Sequence, residues 1–109
     1  MGRKVFISVL GTGFYQDCLY AGQNSQTKTN FIQVATLNEI GAKNWACEDA
    51  VYILVTEKAR KVNWHIENGT RLNNKNELVT YLGLDKCIQD LSLRCKVEAV
   101  DIKDGMTQN

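Results

Sequence analysis

The chain has 109 residues, 44% of them hydrophobic, with 13 basic and 12 acidic side chains and a formal net charge of +1. That length fits one domain, residues 1–109, with a modest core. So even a charge balance argues against a general nucleic-acid binder, which needs a basic face, and direct DNA binding is not expected. No apolar run approaches the ~20 residues that span a bilayer. Met1-Gly2-Arg3-Lys4 leads straight into a β-branched strand with no cleavage-site pattern, so a cytoplasmic chain without a membrane partner is expected.

The first element is the run Lys4 to Leu10, in which Val5, Phe6, Ile7, Val9 and Leu10 leave no polar face. Continuous apolarity of this kind predicts a parallel strand covered on both sides. It runs directly into Gly11-Thr12-Gly13, where two glycines allow a tight turn and a close backbone approach to a ligand. In open parallel sheets ligands sit outside the carboxyl ends of the strands, so residues 8–15 are the first place to look for function.

A polar loop is predicted from Gly22 to Asn30, then a helix whose Phe31, Val34, Ala35 and Asn38 share one face. Asn30 with Gln33 resembles a capping box, and Gly41 is placed to close the helix. Val51 to Val55 is apolar throughout and reads as a second parallel strand. Thr56 then caps a helix carrying Ala59, Val62 and Ile66, with Asn68-Gly69 ending it. A helical stretch is expected from Glu77 to Leu82, stopping at Gly83, and another through Leu84, Ile88, Leu91 and Cys95. Val97 to Ile102 alternates and reads as a third strand. The order predicts the β-α-β-α-β half of a Rossmann-like α/β fold, a parallel sheet with helices on both faces. Ile102 to Asn109 reads as a strand-to-helix turn whose helix is missing, so the chain is expected to be an incomplete, amino-terminal portion that does not persist as a monomer.

The four cysteines are scattered, with no C-x-x-C pair and no nearby histidine. They read as reduced, mostly buried thiols, and no metal site is expected. The glycine turn lacks the third glycine and the following acidic residue of a dinucleotide fingerprint, and G-K-[ST] is absent, so no cofactor is expected. Ser8 and Thr12 are candidate donors to phosphate or ribose oxygens. Tyr15 and Tyr20 are candidates for stacking on a base, against the plainer reading of packed loop anchors. Lys58 lies nearest a strand end. Arg60 and Lys61 read as the solvated face of a helix, Trp45 and Trp64 as packing. His65, the single histidine, has no acid or cysteine signature around it and reads as a solvent-edge residue. No nucleophile–base arrangement stands out, and no catalytic residue is assigned.

The opening S-V-L-G-T-G, Tyr15 and Tyr20, Thr27 to Gln33 with Ala35, L-V-T-E-K-A, Asn63-Trp64 and the final V-x-x-V-x-I-x-x-G occur in an order that resembles the CRISPR-associated Rossmann-fold (CARF) sensors. The similarity is to accessory proteins of type III CRISPR systems. It implies a homodimeric regulatory sensor for cyclic oligoadenylate, the second messenger of that antiviral defence, which controls an attached effector. By position, it implies a first ligand loop of Ser8, Gly11, Thr12 and Gly13, with Thr56, Glu57 and Lys58 in the turn after the second strand. Family sensors carry further strands and a later ligand loop, which this sequence does not contain. Two other readings stand beside it: a ring nuclease that cleaves cyclic oligoadenylate, and a domain with only a structural or oligomerisation role.

Overall fold

Val5–Val9 forms the first strand (β1). The stretch predicted as a loop is a hairpin of Cys18–Ala21 (β2) and Gln26–Thr29 (β3). Helix α1 covers Ile32–Glu39, and β4 covers Ala50–Val55. A short α2, Glu57–Ala59, runs into a π-helical turn at Arg60–Trp64. A second hairpin joins Thr70–Leu72 (β5) to Leu78–Thr80 (β6), ahead of α3, Leu84–Gln89, and β7, Lys96–Asp101. This computed structural model describes residues 2–103, so the turn expected at Asp104-Gly105 lies outside the described residues.

The three predicted strands become a parallel sheet in the order β1-β4-β7. Phe6, Val51 and Val97 stand level across it, as do Ser8, Ile53 and Ala99. This face meets all three helices: Val51, Ile53 and Val55 share one buried cluster with Val34 and Leu37 of α1, Ala59 of α2, and Leu84 and Ile88 of α3. Each such aliphatic side chain contributes about 1.5–3 kcal/mol when fully buried.

The opposite face corrects the expectation of helices on both sides. Val5, Ile7 and Val9 are 44%, 61% and 45% exposed. Among the described residues no helix covers this face, where Lys96 and Glu98 pair at 2.9 Å beside Tyr52. The cause is topological. Strands added in the order one, two, three by right-handed crossovers place every connecting helix on the same side. A run of apolar residues therefore marked a parallel strand correctly but did not mean that both faces were covered.

Local signals held at some positions and failed at others. Gly41 adopts φ +73° just past α1, and the Thr56 hydroxyl accepts from the Ala59 amide at 3.1 Å to cap α2. The capping box does not form. Thr29 Oγ1 accepts from the Phe31 amide, while Asn30 Nδ2 donates to the Tyr15 carbonyl and Gln33 Nε2 to the Val9 carbonyl. The helix expected at Glu77 to Leu82 is instead strand β6. Asn73 to Asn76 makes a turn in which the Asn73 carboxamide oxygen accepts from the Lys75 and Glu77 amides and Asn76 takes φ +61°. The α2 segment ends at Trp64 rather than at Asn68-Gly69.

Asp49 ties the start of the sheet together. Its carboxylate accepts from the Lys4 amide at 2.7 Å and from the Ala46 amide at 2.8 Å. These bonds, the Lys4 one foremost, hold it below the usual carboxylate range. All four cysteines are free thiols, but Cys18 and Cys47 are exposed, contrary to the expectation that most would be buried. No helix among the described residues is long and apolar enough to cross a membrane.

Candidate functional site

The parallel register places the turns after β1 and β4 side by side at the carboxyl edge of the sheet. Leu10 continues the ladder by donating to the Leu54 carbonyl at 2.9 Å, and the chain then bends through Gly11-Thr12-Gly13. What shapes this bend comes from far along the sequence. Asn63, in the π-helical turn and 0% exposed, donates through Nδ2 to the carbonyls of Gly11 at 2.6 Å and Gly13 at 2.9 Å. Arg71 on β5 donates to the carbonyls of Thr12 at 3.0 Å and Gly13 at 3.2 Å. Every carbonyl of the turn is thus drawn inward.

The Asn63 side chain is itself held. Its Oδ1 accepts from the Tyr81 hydroxyl at 2.6 Å and from Arg71. Tyr81 is almost completely buried and accepts from the Tyr15 amide at 3.3 Å. Burial pushes its phenol above the ordinary tyrosine value, so it stays a hydroxyl donor. The Arg71 guanidinium lies 5.4 Å from the Tyr81 ring centre and 5.8 Å from that of Phe14, which stack on each other at 4.9 Å. Among the described residues Arg71 makes no ion pair. Carbonyl dipoles and the Phe14 and Tyr81 rings surround its charge.

With the carbonyls bound inward, the Thr12 and Gly13 amides make no hydrogen bond inside the described chain and the turn is exposed. Two open amides on a turn braced from its carbonyl side suit an anion. Neither glycine has positive φ. A Cβ at Gly13 would meet nothing within 4 Å, and one at Gly11 would touch only the Tyr15 hydroxyl. Folding therefore does not require glycine at position 13.

The other sequence-derived candidates separate into groups. Ser8 is half-buried on the helix-facing side of β1, two residues short of the turn. Tyr15 is a loop anchor: its hydroxyl accepts from the Gly11 amide at 2.9 Å and its ring lies 5.1 Å from Phe31. Tyr20 sits on β2 with its hydroxyl near the Cys18 thiol. Thr56 is occupied as the cap, and Glu57 pairs with Lys61 at 3.4 Å between two exposed side chains. Lys58 is exposed and makes no ion pair among the described residues. Trp45 is core, and half-buried Trp64 packs against the same cluster, both as expected.

Sequence reading named Asn63 only within the Asn63-Trp64 motif, without a role, and missed Arg71 and Tyr81. A faint signal existed for Asn63, since it falls at a buried position four residues after Ala59. A polar residue at such a position must find partners. Arg71 gave none, because β5 was not recognised as a strand. Family models, curated proteins and solved structures yield no match to this chain.

Proposed function

We propose that this chain is a Rossmann-like regulatory sensor domain that binds a cyclic oligoadenylate at the Gly11-Thr12-Gly13 turn, in cytoplasmic type III CRISPR defence. One observation carries the reading: the turn is held carbonyls-in and amides-out by Asn63 and Arg71 at the carboxyl edge of a parallel sheet. A phosphodiester there meets preorganised donors without any large net charge on the protein. The resemblance of motif order supplies the nucleotide class, and in this reading Thr12 in the turn after β1 adds a hydroxyl and Lys58, after the adjacent strand β4, a cation. The working unit in this reading is a homodimer, which sedimentation of the chain tests directly.

Calorimetry against tri-, tetra- and hexa-adenylate rings, with NAD and ATP as controls, tests the ligand. Saturable heat with one ring and none with the controls is expected. Binding of NAD with no ring bound would refute the reading. Gly13→Val should leave the fold intact, since its Cβ enters open space, yet weaken ring binding by crowding the amides. Unchanged affinity would place the ligand elsewhere.

A further inference from the structure

A groove of about 760 Å³ opens beside the π-helical turn, which the His65 amide closes by donating to the Arg60 carbonyl at 3.1 Å. Turns of this wide type recur at binding sites. Half-buried Trp64 forms part of the lining, followed along the chain by His65, Glu67, Asn68 and Thr70, all exposed. The volume suits a small molecule.

The lining also carries Arg60, Lys61 and Arg71, yet each is already engaged. Arg60 donates through Nε and Nη2 to Asp101 at 3.0 and 2.8 Å, and Lys61 pairs with Glu57 at 3.4 Å. Arg71 directs Nη1 and Nη2 at the Thr12, Gly13 and Val62 carbonyls and at Asn63. Asp85 accepts from His65 Nδ1 at 2.7 Å on one oxygen and from the Lys86 amide at 2.6 Å on the other. Three cations, Arg60, Lys61 and Arg71, thus stand against four carboxylates, Glu57, Glu67, Asp85 and Asp101. An anion gains little here, because it meets the unpaired carboxylate of Glu67.

What the groove has in excess is open hydrogen-bonding capacity around an indole. The side chains of Glu67, Asn68 and Thr70 make no hydrogen bond among the described residues. A carboxylate only accepts, so the Asp85 contact puts the His65 ring proton on Nδ1 and leaves Nε2 of the neutral imidazole an open acceptor. A carboxylate and a ring nitrogen that accept therefore stand beside a carboxamide and a hydroxyl that also donate. A hydrocarbon ligand would leave these groups unpaired. A ring with C–H bonds on its faces and hydroxyls at its rim answers both demands, laying a face on the indole and its hydroxyls on the polar side chains. We propose that this groove binds a neutral sugar ring, with Trp64 as the stacking surface and His65, Glu67, Asn68 and Thr70 as hydroxyl partners. The site is independent of the ligand proposed for the glycine turn.

The test is an NMR titration of the isotope-labelled full chain with neutral pentoses, hexoses, N-acetylhexosamines and their disaccharides. Inorganic phosphate, AMP and spermidine serve as controls. The chain has two tryptophans, so buried Trp45 supplies an internal reference for the Trp64 indole N–H signal. One sugar should shift the Trp64 signal and the backbone amides of 65–70 saturably, with a Kd of about 1 mM for a single ring. Trp45 should stay unmoved. Glu67→Gln and Thr70→Val alter exposed side chains, so the fold should persist while affinity falls by about 5- to 10-fold in each. No saturable shift with any sugar overturns the proposal, as does tighter binding of phosphate, AMP or spermidine at Trp64. Unchanged affinity in both variants, or an equal shift of Trp45, overturns it too, because the sugar would then act elsewhere. None of these failures touches the sensor reading, which calorimetry with the adenylate rings decides separately.

Discussion

Replacing Asn63 with Ala is the sharpest probe of what shapes the glycine turn. The change removes four hydrogen bonds: two to the Gly11 and Gly13 carbonyls, one from Tyr81 and one from Arg71. At about 1 kcal/mol net for each, the simple sum is ~4 kcal/mol. The bonds are not equivalent. The turn is exposed, so its two carbonyls recover water, and Arg71 keeps its bonds to Thr12, Gly13 and Val62. The Tyr81 hydroxyl is different: it is buried and loses its only acceptor among the described residues, which costs about 1–3 kcal/mol by itself. The lost carboxamide adds a small cavity. A loss of about 3 kcal/mol is expected, which with a urea slope of ~1.5 kcal/mol/M moves the midpoint down by roughly 2 M. Urea titration followed by tryptophan fluorescence measures it. Tyr81→Phe, which removes the hydroxyl and spares the ring packing, should cost about 1–2 kcal/mol, because the Tyr15 amide loses its acceptor while Asn63 Oδ1 still has Arg71. An Asn63→Ala loss below ~1 kcal/mol, or a larger loss for Tyr81→Phe, would refute the idea that Asn63 is the centre of this network.

Gly83→Ala should destabilise by about 2 kcal/mol or more, since its Cβ would run into the Trp64 carbonyl where two backbones touch. Equal midpoints for that variant and the wild type would show that the approach is not tight. Burial, aided by the charges of Asp90 and Asp85, pushes the Cys87 thiol up to about 11. At pH 7.5 it should therefore alkylate far more slowly than exposed Cys18 and Cys47, which mass mapping after brief iodoacetamide treatment checks. Asp49 is depressed in the folded state, so the stability it supplies is present above the unfolded carboxylate value of ~3.9 and is lost as pH falls below it. Asp49→Asn should melt lower than wild type at pH 6, with the gap closing toward pH 3. A gap constant across that range would remove the carboxylate from the account.

The sequence by itself determined what depends on neighbours in the chain. Runs of β-branched and apolar residues gave β1 and β4, alternation gave β7, the Thr56 hydroxyl gave the α2 cap, and Gly41 gave the end of α1. Each rests on contacts within about four residues. Both hairpins escaped because β2, β3, β5 and β6 are only three or four residues long, too short for periodicity to register. The bare sheet face escaped for another reason: an apolar strand reads the same whether one or both of its faces will be covered, and only strand order decides which. The site escaped in the same way. Gly11 and Gly13 were visible as a turn, but Asn63 and Arg71 stand 50 to 59 residues away, and His65 meets Asp85 across 20. Side-chain polar contacts carry no periodic trace in a sequence. Their partners are chosen by the parallel register and the β5–β6 hairpin, which bring distant segments to the same edge of the sheet.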